Sequence, residues 1–170
     1  MQFTIQMVIK DEHGETETED VIELDKQANS ISGTGMSLQE SKAILKTLQK
    51  LIVCHQAEEY VKAHTQCPHC HKKRRTKGYH TLQYRTLFGI VPIPSKRVYR
   101  CACEASATRT VSLLTDWLPE HNSPELQYIE AKWASLMSYG LTADLLKELL
   151  PVGESLNAPT VRNHLHRVAK

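Results

Sequence analysis

Aromatic residues are scarce in this chain of 170 residues, at 6%, with two Trp and two Phe. Long apolar runs are absent: no stretch approaches the ~20 consecutive apolar residues of a membrane-spanning helix. Residues 1–10 alternate apolar and polar types and lack the basic flank, apolar block and small-residue cleavage site of a secretory signal. Both absences lead to the expectation of a soluble, cytoplasmic protein with no membrane partner. Cysteine is limited to five, an odd number that argues for metal ligands or buried thiols over disulfides in a reducing compartment.

Charge of one sign is missing from one segment and nearly so from another. Residues 11–25 hold eight acids and no Lys or Arg, whereas residues 62–110 hold eleven Lys or Arg and one acid, Glu104. The whole chain carries only +2, yet the second segment alone carries eleven minus one, or +10. Such segregation points to a polyanionic partner. Enzyme signatures are missing too: there is no His-Glu-x-x-His, no Gly-rich phosphate loop, and no His-x-Glu ahead of Pro-Cys-x-x-Cys as in zinc deaminases.

What is present divides into three parts. In residues 1–66, Phe3, Ile5, Met7 and Ile9 alternate with polar residues, and a second run near Val21–Leu24 follows a turn at His13-Gly14, a β-hairpin pattern. Its acids solvate an edge strand or form a partner-binding surface. Ser37-Leu38-Gln39-Glu40 is a capping box that opens a helix over about 38–65, with Ile44, Leu48, Leu51, Val53, Ala57, Tyr60 and His64 as one apolar stripe and Cys54 as a buried thiol.

Residues 67–110 read as a second hairpin, Tyr79–Phe88 and Ile90–Cys101 around Gly89. Pro92 and Pro94 require an edge strand or a break in its pairing. Cys67-Pro68-His69-Cys70 precedes the hairpin and Cys101-Ala102-Cys103 follows it, so closure brings two thiolate pairs together as in a zinc ribbon: one structural Zn²⁺ per chain, with no open position. A redox Cys-x-x-Cys and four unrelated thiols are the competing readings, and one of His64, His69, His71 and His80 is an alternative to one thiolate. The apolar surface of the segment is small, so metal loss is expected to unfold residues 67–103. Lys72, Lys73, Arg74, Arg75 and Lys77, with Arg85 and Arg97 on the hairpin, suit phosphate neutralisation, and Tyr79, His80 and Tyr84 either stack on bases or pack the ribbon.

Residues 111–170 read as three helices. The first is capped by Ser123-Pro124 and stopped at Gly140, the second is capped by Thr142, and the third starts at Asn157 and runs to the last residue, in the order of a helix-turn-helix unit. Val161, Leu165 and Val168 form the inward face of the third, leaving Thr160, Arg162, Asn163, His166 and Arg167 to project toward DNA; a surface helix of an ordinary bundle explains the same pattern. The fold class is therefore α+β: an N-terminal β-hairpin and long helix, a four-cysteine zinc-ribbon hairpin and a C-terminal helix-turn-helix bundle.

The stretch from Glu130 to Thr142, continuing through Leu145-Leu146-Lys147-Glu148 to Thr160–Leu165, resembles the N-terminal half of ISKra-type insertion-sequence transposases. Cys67-Pro68-His69-Cys70, Tyr84–Gly89 and the Cys-x-Cys resemble it as well. The resemblance implies a zinc-containing region that recognises terminal inverted repeats in double-stranded DNA, in a bacterial cytoplasm at the nucleoid, with a homodimer as a further candidate assembly. It also implies that the catalytic carboxylates of this DDE-type family belong to a downstream domain, so no catalytic residue and no enzyme activity is expected of this chain. His71 stands where the family's knuckle is expected to carry Gly, and a non-Gly residue is disfavoured there at positive φ. Two other functions use the same parts: a free-standing zinc-containing repressor or antitoxin-like regulator, and a zinc-stapled protein-interaction module.

Overall fold

The computed structural model describes residues 1–26, 34–104 and 108–168. It is a mixed α+β fold. In chain order it contains β1 (Gln2–Lys10), β2 (Thr16–Asp25), α1 (Leu38–Ala63), β3 (Thr76–Thr86), β4 (Gly89–Tyr99), β5 (Thr110–Ser112), α2 (Pro124–Ala134), α3 (Tyr139–Leu149) and α4 (Ala158–Val168).

β1 and β2 pair antiparallel, with a register shift after Ile5 that leaves Val21 as the extra residue: Ile5 faces Ile22, but Gln6 faces Asp20. A bulge of this kind sharpens strand twist. It lets Val21 and Leu24 turn inward together with Ile5 and Met7.

α1 begins as the capping box requires. The Ser37 hydroxyl accepts the Glu40 N–H, while the Glu40 carboxylate accepts the Ser37 N–H. Its apolar positions form two stripes instead of the expected one. At about 100° per residue, Ile44 and Val53 lie roughly 180° apart. Ile44, Leu48 and Leu51 pack against the β1–β2 hairpin, and Val53, Ala57, Tyr60 and Val61 pack against the second sheet. The helix is thus held between two sheets, and Cys54 at its flank is half-buried.

The second sheet has the order β3-β4-β5. β5 pairs only with Arg97–Tyr99 of β4, so the prolines sit where β4 has no neighbour on that side. The Lys96 carbonyl accepts the Leu113 N–H on the β5 side. Backbone alternation turns Pro92 and Pro94 the same way as Lys96, so their missing N–H groups interrupt no ladder.

The core of this sheet is Leu82, Val91 and Ile93 with Val53 and Ala57 of α1 and Leu114 and Leu118 beyond β5. The β3–β4 turn closes through Thr86, whose hydroxyl donates to the Gly89 carbonyl and accepts the Phe88 N–H. Gly89 has φ 127°, and a Cβ there would lie 3.3 Å from Lys46 Cγ and 3.4 Å from the Pro151 carbonyl, so only Gly suits this tip between α1 and the α3–α4 connection.

Three helices complete the chain around Leu126, Ala143, Leu146, Val152, Leu156 and Val161. Ser123 caps α2, as its Ser-Pro sequence predicts. The next boundary differs from expectation. α2 ends at Ala134, and Ser138, not Thr142, caps α3 by accepting the Leu141 N–H; Gly140 therefore lies in the first turn of α3 and stops nothing. Thr142 is fully buried and donates to the Ser138 carbonyl. Asn157 caps α4 by accepting the Thr160 N–H. The expectations for the last two residues and for the Val168 side chain lie outside the described residues.

Candidate metal centre and cationic surfaces

The four cysteines converge. Cys67 follows α1 and Cys70 lies three residues on, in a turn where the His71 N–H donates to the Cys67 carbonyl and the Cys67 N–H to the Lys72 carbonyl. His71 adopts φ 57°, so the knuckle keeps its left-handed residue without a glycine. Cys101 and Cys103 arrive at the end of β4, where the Glu104 N–H donates back to the Cys101 carbonyl. Cys67 and Cys103 are 3.4 Å apart at sulfur, as are Cys70 and Cys101. All four sulfurs lie within 4.8 Å of one another, and no histidine belongs to the group.

This arrangement fits a divalent ion. Tetrahedral Zn²⁺ with Zn–S near 2.3 Å places its sulfurs about 3.8 Å apart, inside the observed spread. The proton chemistry agrees. The Cys103 N–H and side chain draw the Cys101 thiol down to about 7, while the adjacent sulfurs of Cys101 and Cys67 push Cys103 upward. Four thiols in one cluster cannot all ionise without a cation among them. The four could hold a metal ion, compatible with zinc, and a set of four cysteines leaves no position for a reacting water.

The sole acid of the basic segment, Glu104, lies against this centre, a position sequence reasoning did not assign to it. Its carboxylate accepts from Arg74, from the Cys67 thiol at 3.4 Å and from Arg100 at 3.4 Å. Burial acts to raise the Glu104 carboxyl, but the Arg74 and Arg100 guanidiniums, together with the Cys67 thiol while it is protonated, outweigh it and hold it below the usual range. Arg74 therefore leaves the exposed basic run: its side chain is 11% exposed and ion-paired.

The remaining predicted cations fall in two places. Lys72, Lys73, Arg75, Lys77 and Arg97 are exposed around the cysteine end of the sheet. Arg75 lies 5.8 Å over the Tyr99 ring, and Gly78 faces Arg97 across the ladder. Tyr79 and His80 are exposed, whereas Tyr84 packs against the core. Arg85 is at the opposite end of β3, where its N–H donates to the His121 carbonyl and its own carbonyl accepts the Ser123 N–H. There it joins Thr160, Asn163 and Arg167 around one polar cleft of about 440 Å³.

On α4, Arg162, Asn163, His166 and Arg167 are exposed, but Thr160 is half-buried and its hydroxyl donates to Asn157. The inward face includes a group that sequence reasoning missed. His164 is buried, with Nδ1 2.7 Å from Oε2 of the fully buried Glu130 on α2. Its position three residues after Val161 puts it on that face. Among the described residues, no helix is long and apolar enough to cross a membrane.

Comparison with family models, curated proteins and solved structures finds no match to this chain.

Proposed function

We propose that the chain is a zinc-stapled DNA-binding protein. The observation that carries this reading is the separation of charges around the cysteine cluster. Glu104 is taken up by Arg74 and Arg100, while Lys72, Lys73, Arg75, Lys77 and Arg97 stay exposed with no carboxylate partner among the described residues. A surface left with cations alone neutralises phosphates and releases their counterions. Zinc on Cys67, Cys70, Cys101 and Cys103 would hold the ribbon that presents this surface, its two positive charges offsetting half of the four thiolates and the surrounding cations easing the rest.

In this reading α3 and α4 act as a helix-turn-helix, with α4 entering the major groove. The resemblance of residues 130–165 to insertion-sequence transposases makes terminal inverted repeats the proposed target, bound without cleavage. The test is fluorescence anisotropy of labelled inverted-repeat and mixed-sequence duplexes with zinc-loaded protein at several salt concentrations. The logarithm of affinity is expected to fall linearly with the logarithm of salt concentration, and chelation to weaken binding. Zinc-loaded protein that binds no duplex at low salt would overturn the reading in favour of a protein-interaction module.

A further inference from the structure

The polar cleft where β3, the 119–122 loop and α4 meet has a composition suited to an anion. Arg85, Arg167, His121, His164 and Asn163 line it, against a single carboxylate, Glu120. Neither arginine has a carboxylate partner among the described residues. Arg85 is tethered by two backbone hydrogen bonds, of 2.8 Å to His121 and 2.7 Å from Ser123, so its guanidinium extends from a fixed point.

His164 is oriented from behind. Nδ1 lies 2.7 Å from the Glu130 carboxyl oxygen, which fixes the ring and leaves Nε2 as its other polar edge. Asn122 supplies an independent sign of a missing partner. It lines the cleft, is 6% exposed, and its side-chain oxygen has no hydrogen-bond partner. A buried amide left unsatisfied marks a place for a ligand or an ordered water, and rotation of the amide presents a donor in its place.

We propose that this cleft seats a backbone phosphate of the DNA strand passing α4, with Arg85 and Arg167 as its clamp. The inference rests on the DNA-binding reading. Guanidinium donors match phosphate oxygens in pairs. The volume of about 440 Å³ admits a phosphate with its adjoining sugar. A consequence is that the exposed surface of α4 carries two rows with different tasks. Asn163 and Arg167, one turn apart, belong to the cleft and position the strand. Arg162 and His166, the adjacent row, do not line it and face the bases.

Two measurements on the zinc-loaded full chain test this. The first is the salt dependence of binding to a mixed-sequence duplex for wild type, Arg85→Gln, Arg85→Lys and Arg167→Gln. The second is NMR of the histidine rings titrated with inorganic phosphate against chloride at matched ionic strength. Each Gln variant is expected to make the slope shallower by about 0.9, Arg85→Lys to retain it, and phosphate to shift the His164 signals in wild type but not in Arg85→Gln. Unchanged slopes and unshifted His164 signals, with DNA still bound, would overturn the cleft and leave the DNA reading standing. Phosphate shifts at His164 in a protein that binds no duplex would overturn the strand as the source of the phosphate, together with the DNA reading.

Discussion

Arg74 and Glu104, thirty positions apart, form an ion pair against the Cys67 thiol. One of five neighbouring cations is thereby built into the cysteine knuckle while the others face water. Residues 72–77 therefore hold one largely buried, paired cation and four exposed ones, and substitutions within them should separate into two classes.

Arg74→Met removes one partner of a buried pair and is expected to destabilise the zinc-loaded protein by about 3 kcal/mol. Lys73→Ala, at an exposed site, should change stability little. Denaturant unfolding of both variants checks this; equal midpoints would contradict the pairing.

Zinc should bind at one ion per chain, and its removal should loosen less than the whole hairpin. Leu82, Val91 and Ile93 are buried against α1, Leu114 and Leu118, so the far half of the sheet should hold after metal removal. Residues 67–103 borrow apolar surface from elements outside the segment, so loosening confined to their cysteine end is expected in place of unfolding of the whole segment. Hydrogen exchange after chelation should show lost protection at residues 65–75 and 99–104, with protection retained at Leu82 and Ile93. Elemental analysis of protein purified without chelator gives the stoichiometry.

Lys72→Ala with Lys73→Ala should weaken binding to every duplex alike and lower the salt slope by about 2. Arg162→Ala should cost about 1–3 kcal/mol at the cognate site and little at a scrambled one. Loss of sequence preference in the lysine variant, with the helix variant unaffected, would reverse the roles of anchor and reader.

His164→Ala strands the fully buried Glu130 carboxylate and should destabilise the chain by about 3 kcal/mol or more. The double variant Glu130→Met with His164→Leu, which removes both polar groups, should recover much of that loss. Thermal unfolding of single and double variants at one pH gives the comparison.

Glu40 is held near a pKa of about 2, first by its hydrogen bond from Lys26 and then by those from Ser37. A carboxyl lowered on folding adds stability that is complete above its unfolded value of about 4.5 and is lost as pH falls toward 2. Glu40→Gln should therefore flatten the acid limb of stability between those values and leave the limb above pH 7 unchanged.

Local chemistry was legible in the sequence wherever one segment contains its own reason. Ser37 with Glu40, Ser123 with Pro124 and Asn157 each satisfy helix N–H groups within a few residues, and the alternation at Phe3–Ile9 needs only a partner strand. The cysteine cluster was legible too, because Cys-x-x-Cys and Cys-x-Cys flank a hairpin whose equal arms bring them back together. Features that depend on distant partners were not. The stripe of α1 splits in two because sheets press on both sides, which spacing within the helix does not reveal. Choosing between Thr142 and Ser138 as a cap depended on which side chain the three-helix core buries. Arg74 and Arg85 read alike as surface cations; only tertiary contact, which sets one against Glu104 and the other beside α4, gave them different electrostatic surroundings.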